Sequence, residues 1–251
     1  MATIEVDIRK LLESGAHFGH KTSRWHPKMA PFIHSKRDGI HIIDLTKTVD
    51  SLNDALGYVE KTVAAGRQVL LIGTKRQAKE VLQKIADDTD MPYVTERWLG
   101  GMLTNGKTIN ARVKHLKDLE TKMASGELAQ RYNKLEVQRF QEEIDEMNKK
   151  FGGIKHMSGR PGAVFIVDVP NEINAVREAR QLGIPVIALV DSNADPSLVD
   201  YAIPCNDDAI KTISLIGEYL QAAIEAGKNS RKKVADKDDA AEAKAEAPAA
   251  K

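Results

Sequence analysis

Apolar residues along this chain recur in two rhythms. Short continuous runs, Ile40–Leu45, Gln68–Gly73, Ala163–Val169 and Ile184–Asp191, with a weaker Tyr201–Pro204, alternate with longer segments whose apolar positions return every three or four residues. Runs this short read as strands rather than helices, and unbroken hydrophobicity means both faces are covered, the pattern of a parallel sheet between helices. The helical segments are Thr46–Ala65, where Val49, Leu52, Leu56, Val59 and Val63 share a face before Gly66, then Thr74–Asp88, Asn171–Leu182 before Gly183, and Asp207–Ala226 before Gly227. Strand and helix in alternation with short links predict a doubly wound α/β fold, a mainly parallel sheet with helices on both faces.

Residues 105–151 break the alternation with two helical stripes and no strand. Ile109, Val113, Leu116, Leu119 and Met123 form the first. Ser125-Gly126 interrupts, and a second stripe runs through Leu128, Tyr132 and Leu135, then, after a slip in phase, Val137, Phe140, Ile144, Met147 and Phe151. Narrow stripes with charge elsewhere predict an antiparallel helical (coiled-coil) hairpin protruding from the sheet domain; an all-helical subdomain packed on the sheet is the alternative. The expected organisation is a discontinuous sheet domain of residues 1–104 and 152–226, a hairpin of residues 105–151 and a flexible tail of residues 227–251. The last 24 residues hold 8 alanines and 12 charged residues, with no large apolar residue beyond Val234. Such a segment has nothing to offset the entropy of ordering.

Composition narrows the class. With 251 residues and 42% hydrophobic content the chain can bury a core, and no apolar run approaches membrane-spanning length. Cys205 is the single cysteine, which excludes a disulfide framework and a thiolate-rich zinc site, and the mixed charges of the first ten residues are not a secretory leader. A soluble intracellular protein is expected. The net charge of +1 conceals zones: +3 over residues 1–47, +5 over 97–160 and −7 over 161–226. Two basic zones and an acidic one suggest two faces for different partners.

Enzyme motifs are weak. Gly73-Thr74-Lys75 follows a strand and opens a helix, where a phosphate would be favoured, but neither the phosphate-loop spacing nor a dinucleotide fingerprint is present. A phosphate-handling enzyme using Gly73, Thr74 and Lys75 is the alternative to a binding protein. Cys205 has no activating base nearby in sequence and reads as a small buried residue. Three glycine-punctuated basic clusters look instead like RNA-contacting surface. The first runs from His17 to Lys28 and offers Lys21, Arg24 and Lys28 to phosphates and Trp25 and His26 to bases, with Lys36 and Arg37 downstream. The second, Arg97 to Lys107, offers Arg97, Thr104, Asn105 and Lys107; the third, Lys155 to Pro161, offers Arg160.

The residues of these clusters carry a resemblance. His17-Phe18-Gly19-His20 with Trp25-His26-Pro27-Lys28-Met29, and Arg97-Trp98-Leu99-Gly100-Gly101-Met102-Leu103-Thr104-Asn105, are similar to two signature regions of the bacterial small-subunit ribosomal protein S-two family. Pro185 to Pro196, followed by Ile203 to Ile210, resembles a third, and the likeness spans about Ile4 to Ala226. The resemblance implies a non-catalytic structural component of the small ribosomal subunit. It would contact ribosomal RNA near the head–body junction and help recruit the messenger-capturing ribosomal protein S-one.

The acidic zone suggests where a protein partner would bind. Loops after parallel strands converge at one edge of an open sheet. Asp191 ends one strand, and Asp207 and Asp208 follow another, so these three form an expected partner-facing edge. No cofactor is required, but His17, Asp191 and Asp208 are a candidate zinc set, one ligand short of a tetrahedron that a partner would complete. The plainer alternative has Asp207 or Asp208 capping the last helix and Asp191 accepting loop N–H groups.

Overall fold

The computed structural model describes residues 6–245. Eight strands and eight α-helices are described: α1 (Ile8–Ser14), β1 (Phe18–Lys21), β2 (Ile33–Arg37), β3 (Ile40–Ile43), α2 (Leu45–Ala64), β4 (Val69–Ile72), α3 (Arg76–Thr89), β5 (Tyr93–Val94), α4 (Gly106–Ala124), α5 (Glu127–Arg131), α6 (Lys134–Phe151), β6 (Ala163–Val167), α7 (Ile173–Gln181), β7 (Val186–Val190), β8 (Tyr201–Pro204) and α8 (Ile210–Ala245). Five strands form a parallel sheet in the order β5-β4-β6-β7-β8, with Leu71 beside Phe165 and Ile166 beside Ala188. The fold is α/β, a parallel sheet flanked by helices.

Strand geometry sends alternate side chains to opposite faces. Val69, Leu71, Phe165, Val167, Ile187 and Leu189 enter one core, with α2, α3 and α8; Leu70, Ile72, Val164, Ile166, Val186 and Ala188 enter the other, with α7 and residues from α4 and α6. Every residue of β4, β6 and β7 is buried, which is why those runs are apolar without alternation. Each such large side chain contributes about 1.5–3 kcal/mol relative to exposure.

Three expectations are corrected. Ile40–Leu45 is not a parallel strand: its first four residues, β3, are the middle of a separate antiparallel sheet, β1-β3-β2, and Asp44 and Leu45 cap and open α2. The cause is local. Asp38 and Gly39 both take positive φ, 51° and 76°, a turn that folds β2 back onto β3 and that an Asp-Gly pair favours. The second hairpin helix is two helices, because Asn133 accepts from the Glu136 amide while the Glu136 side chain accepts from the Asn133 amide, restarting the helix as α6. The last helix does not stop at Gly227. That glycine is buried against α2, where a Cβ would lie 2.7 Å from the Glu60 carbonyl oxygen, so it marks close helix packing, and α8 continues to Ala245. The final residues of the expected tail, 246–251, lie outside the described residues.

The inserted helices pack on each other and on the sheet. Ile109, Val113, Leu116, Ile144, Met147 and Phe151 belong to the same core as Trp98, Ile72 and Val164. Farther along, Tyr132 and Leu135 are exposed.

Candidate functional site

The C-terminal ends of the parallel strands bring together one lysine, one histidine and four carboxylates. Lys75, the residue that caps α3 just after β4, places its Nζ 3.2 Å from Asp168, 2.7 Å from Asp207 and 2.6 Å from Asp208. Burial alone would lower the Lys75 amine, but Asp207, Asp208 and Asp168 outweigh it and hold the amine above its ordinary range. His20, on β1, sets Nδ1 3.1 Å from Asp191 and Nε2 3.4 Å from Asp208. Its hydrogen bond with Asp191 raises its pKa against the opposing effect of burial. Asp207 is nearly fully buried and its carboxyl is pushed up to about 7, by burial first and then by Asp191 and Asp168. The three aspartates expected at this edge lie together, Asp191 and Asp207 buried and Asp208 half exposed, with Lys75 against Asp207 and Asp208.

The zinc set expected from the sequence contains the wrong histidine. His17 packs against Phe18 with the rings tilted and their centroids 4.0 Å apart, and burial lowers its pKa. His20 takes the place expected of it: His20, Asp191 and Asp208 each offer a ligand atom, all within 4.8 Å of one another. The capping alternative also changes. Asn206 accepts from the Asp208 and Ala209 amides, leaving the Asp207 and Asp208 carboxylates to face Lys75. Asp191 does accept from the Ser192 amide, as expected of a loop carboxylate.

Gly73-Thr74-Lys75 is not shaped for a phosphate. A Cβ on Gly73 would lie 2.5 Å from Leu82, so the glycine serves the packing of α3. The Thr74 hydroxyl donates to buried Glu172, and Lys75 is held by three carboxylates, so an anion there would meet like charge.

The basic clusters divide into residues that hold the fold and residues that remain exposed. Lys28 donates from Nζ to Asp195 and Ser197, 2.7 Å each, fixing the first cluster to the loop after β7, and His26 Nε2 lies 3.9 Å from the same carboxylate. Lys21 and Arg24 are exposed and line a cavity shared with His20, Asp191 and Asp208. Trp25, 38% exposed, packs against His41 with the rings tilted and their centroids 5.1 Å apart. Lys36 and Arg37 stand exposed on β2. Trp98 is a core residue, whereas Arg97, Thr104, Asn105 and Lys107 are exposed beside it. Thr104, Lys107 and Arg160 line one cavity of about 360 Å³, which unites the second and third clusters. Sequence reasoning missed Lys75 as a counter-ion and Glu178 as a loop anchor. The run of aspartates after the strands was the one signal for the first, and a mid-helix glutamate gave none for the second.

This arrangement is that of an α/β protein with ion pairs along one edge of the sheet and exposed cations on loops beside it, and no enzyme motif organises it. Comparison with known proteins agrees. The family model described as Ribosomal protein S2 matches residues 11–227. The small ribosomal subunit protein uS2 of Roseiflexus sp. (strain RS-1) is 52% identical over 226 residues, covering 90% of this chain and 86% of that protein. Those of Chloroflexus aurantiacus and Thermus thermophilus are 51% and 48% identical, covering 88% and 85% of this chain and 92% and 83% of theirs. The chain belongs to the ribosomal protein S2 family. It is a structural, non-enzymatic component of the cytoplasmic small ribosomal subunit, among the RNA and proteins of that particle.

Proposed function

We propose that the chain binds small-subunit ribosomal RNA near the head–body junction through its two basic surfaces and helps recruit ribosomal protein S-one through the acidic edge. In this reading the sheet is doubly wound, and residues 105–151 form a coiled-coil hairpin that serves as a docking arm while its base packs into the sheet core. The observation that carries the RNA contact is the convergence of Lys107 and Arg160 on one cavity that Thr104 also lines, with Arg97 and Asn105 exposed on the same loop. Lys21, Arg24, Trp25, His26, Lys36 and Arg37 supply the second surface, with Lys28 holding its base. Neutralised phosphates release counterions, so affinity falls with salt in proportion to their number. The test is binding to small subunits stripped of this protein across a salt series. Replacing Lys21 and Arg24 by alanine reduces the logarithmic salt slope by about two. An unchanged slope removes this cluster from the RNA contact.

The acidic edge is the partner-facing side in this reading, with half-exposed Asp208 as the carboxylate a partner can reach and buried Asp191 and Asp207 behind it. The spacing of His20, Asp191 and Asp208 supports a zinc held jointly with the partner, His20 replacing His17. Zinc titration of the protein with and without Asp191→Ala plus Asp208→Ala tests the metal. Unchanged S-one binding by that double variant refutes the docking role.

A further inference from the structure

Glu178 lies on α7, outside every basic cluster, yet one carboxylate collects five donors from the Trp98–Thr104 loop. Trp98 Nε1 and the Gly101 amide donate to Oε1 at 3.0 and 2.8 Å. The amides of Leu103 and Thr104 donate to Oε2, both at 3.1 Å, and the Thr104 hydroxyl donates to the same oxygen at 3.0 Å. Backbone amides converging on an anion form the concavity by which many proteins bind phosphates. Here the anion is internal. The loop closes around it with Gly101 at φ 85°, and the Asn105 amide donates back to the Gly101 carbonyl at 2.7 Å. Those bonds set where α4 begins, and Lys107 sits in its first turn. Partial burial would raise the Glu178 carboxyl, but the donors from Trp98, Gly101, Thr104 and Leu103 outweigh it and hold it below the ordinary carboxylate range.

We propose that Glu178 is the positioning residue of the RNA-contacting loop: its carboxylate is the fixed anion around which residues 98–104 are wound, and it holds Thr104 and Lys107 at the cavity they share with Arg160. This rests on the RNA contact proposed above. No phosphate contact is assigned to Glu178 itself. Its effect on binding is through preorganisation, since a loop already in its bound shape loses less entropy on association. The neutral isostere Glu178→Gln removes the charge and turns an amide donor toward two or three of the loop donors, so the loop loses its single conformation.

The test uses the full chain and stripped small subunits across a salt series, with amide hydrogen exchange on the free protein. Glu178→Gln is expected to speed exchange at Gly101, Leu103 and Thr104. It should also weaken binding about tenfold at every salt concentration with the slope unchanged, because no phosphate contact is lost. Lys107→Ala with Arg160→Ala should instead lower the slope by about two. Wild-type affinity in Glu178→Gln despite faster loop exchange overturns the positioning role and leaves the RNA contact standing. An unchanged slope in the double variant overturns the RNA contact, whatever Glu178→Gln does. Should Glu178→Gln fail to fold, Trp98→Phe, which deletes one of the five donors and keeps an aromatic ring, decides the case. A smaller loss of affinity at unchanged slope supports the proposal, and wild-type affinity with faster loop exchange overturns it.

Discussion

Replacing Lys75 by methionine removes the one ammonium among Asp168, Asp207 and Asp208 while keeping an unbranched chain of similar length. Taking one partner from a buried ion pair costs about 3–5 kcal/mol, because a charge is left uncompensated. Two features lower that figure here: Asp208 is half exposed, and Asp207 can take up a proton. In the folded protein Asp207 titrates at about 7, above its ordinary 3.8. A raised folded pKa means that its contribution is fully present below about pH 4 and is lost as pH rises through 7. Without Lys75 the folded value moves higher still, so above pH 7 the variant falls further behind by up to about 1.4 kcal/mol per pH unit. At pH 5 Asp207 is protonated in both forms, and the deficit reduces to the Asp168 and Asp208 contacts, about 1 kcal/mol. At pH 8 the sum is about 2–3 kcal/mol. Urea unfolding followed by circular dichroism at the two pH values reads the difference directly. A deficit that is the same at both, or absent at pH 8, refutes the electrostatic account of this cluster.

Phe151→Ala, which empties the junction between α6 and the sheet core, should cost about 3–4 kcal/mol in the same unfolding assay, and a loss below about 1 kcal/mol would show that the insertion packs independently of the sheet. Gly227→Ala should lower the melting temperature by several degrees, since its Cβ would press on Glu60 and Val63; Gly57→Ala, a helical position with open space around it, should raise stability by about 0.5–1 kcal/mol. Lys28→Ala should cost about 0.5–1 kcal/mol at neutral pH, as expected of an exposed pair. Asp195 is held down at about 2, so that cost should persist above pH 4, shrink as pH falls through 2 and be gone about one unit lower, and a cost undiminished at that point would contradict the pairing.

How much of this was legible in the sequence follows from what each residue does. The runs that became β4, β6 and β7 were readable because both faces are buried, and burial leaves no polar positions to confuse the count. β3 is apolar but for His41, is buried only at alternate residues and belongs to another sheet, a difference encoded chiefly in the Asp38-Gly39 turn before it. Gly227 looked like a helix stop because composition cannot tell a terminating glycine from one pressed against a neighbouring helix. At the site, the aspartates after the strands pointed to the right edge, but the choice between His17 and His20 depended on where the N-terminal segment crosses it. Gly19 lies so close to Ser192 that a Cβ would be 2.8 Å from its Oγ, and the His20 amide donates to that oxygen at 2.8 Å. This contact brings His20, not His17, to Asp191.

The two histidines therefore make a paired test of that crossing. His20 is raised above 6.5, first by its hydrogen bond to Asp191, so its stabilisation is full below pH 6.5 and is lost as pH rises through the folded value. His17 is lowered below 6.5 by burial, so the folded protein resists charging it and is penalised as pH falls through that range. Relative to wild type, His20→Ala should lose more stability at pH 6 than at pH 9. His17→Ala loses ring packing at every pH but escapes the charging penalty, so its deficit should be larger at pH 9 than at pH 5. Opposite pH trends in two variants three residues apart would place the crossing at Gly19. Parallel trends would mean that at least one of the two histidines lacks the surroundings described here.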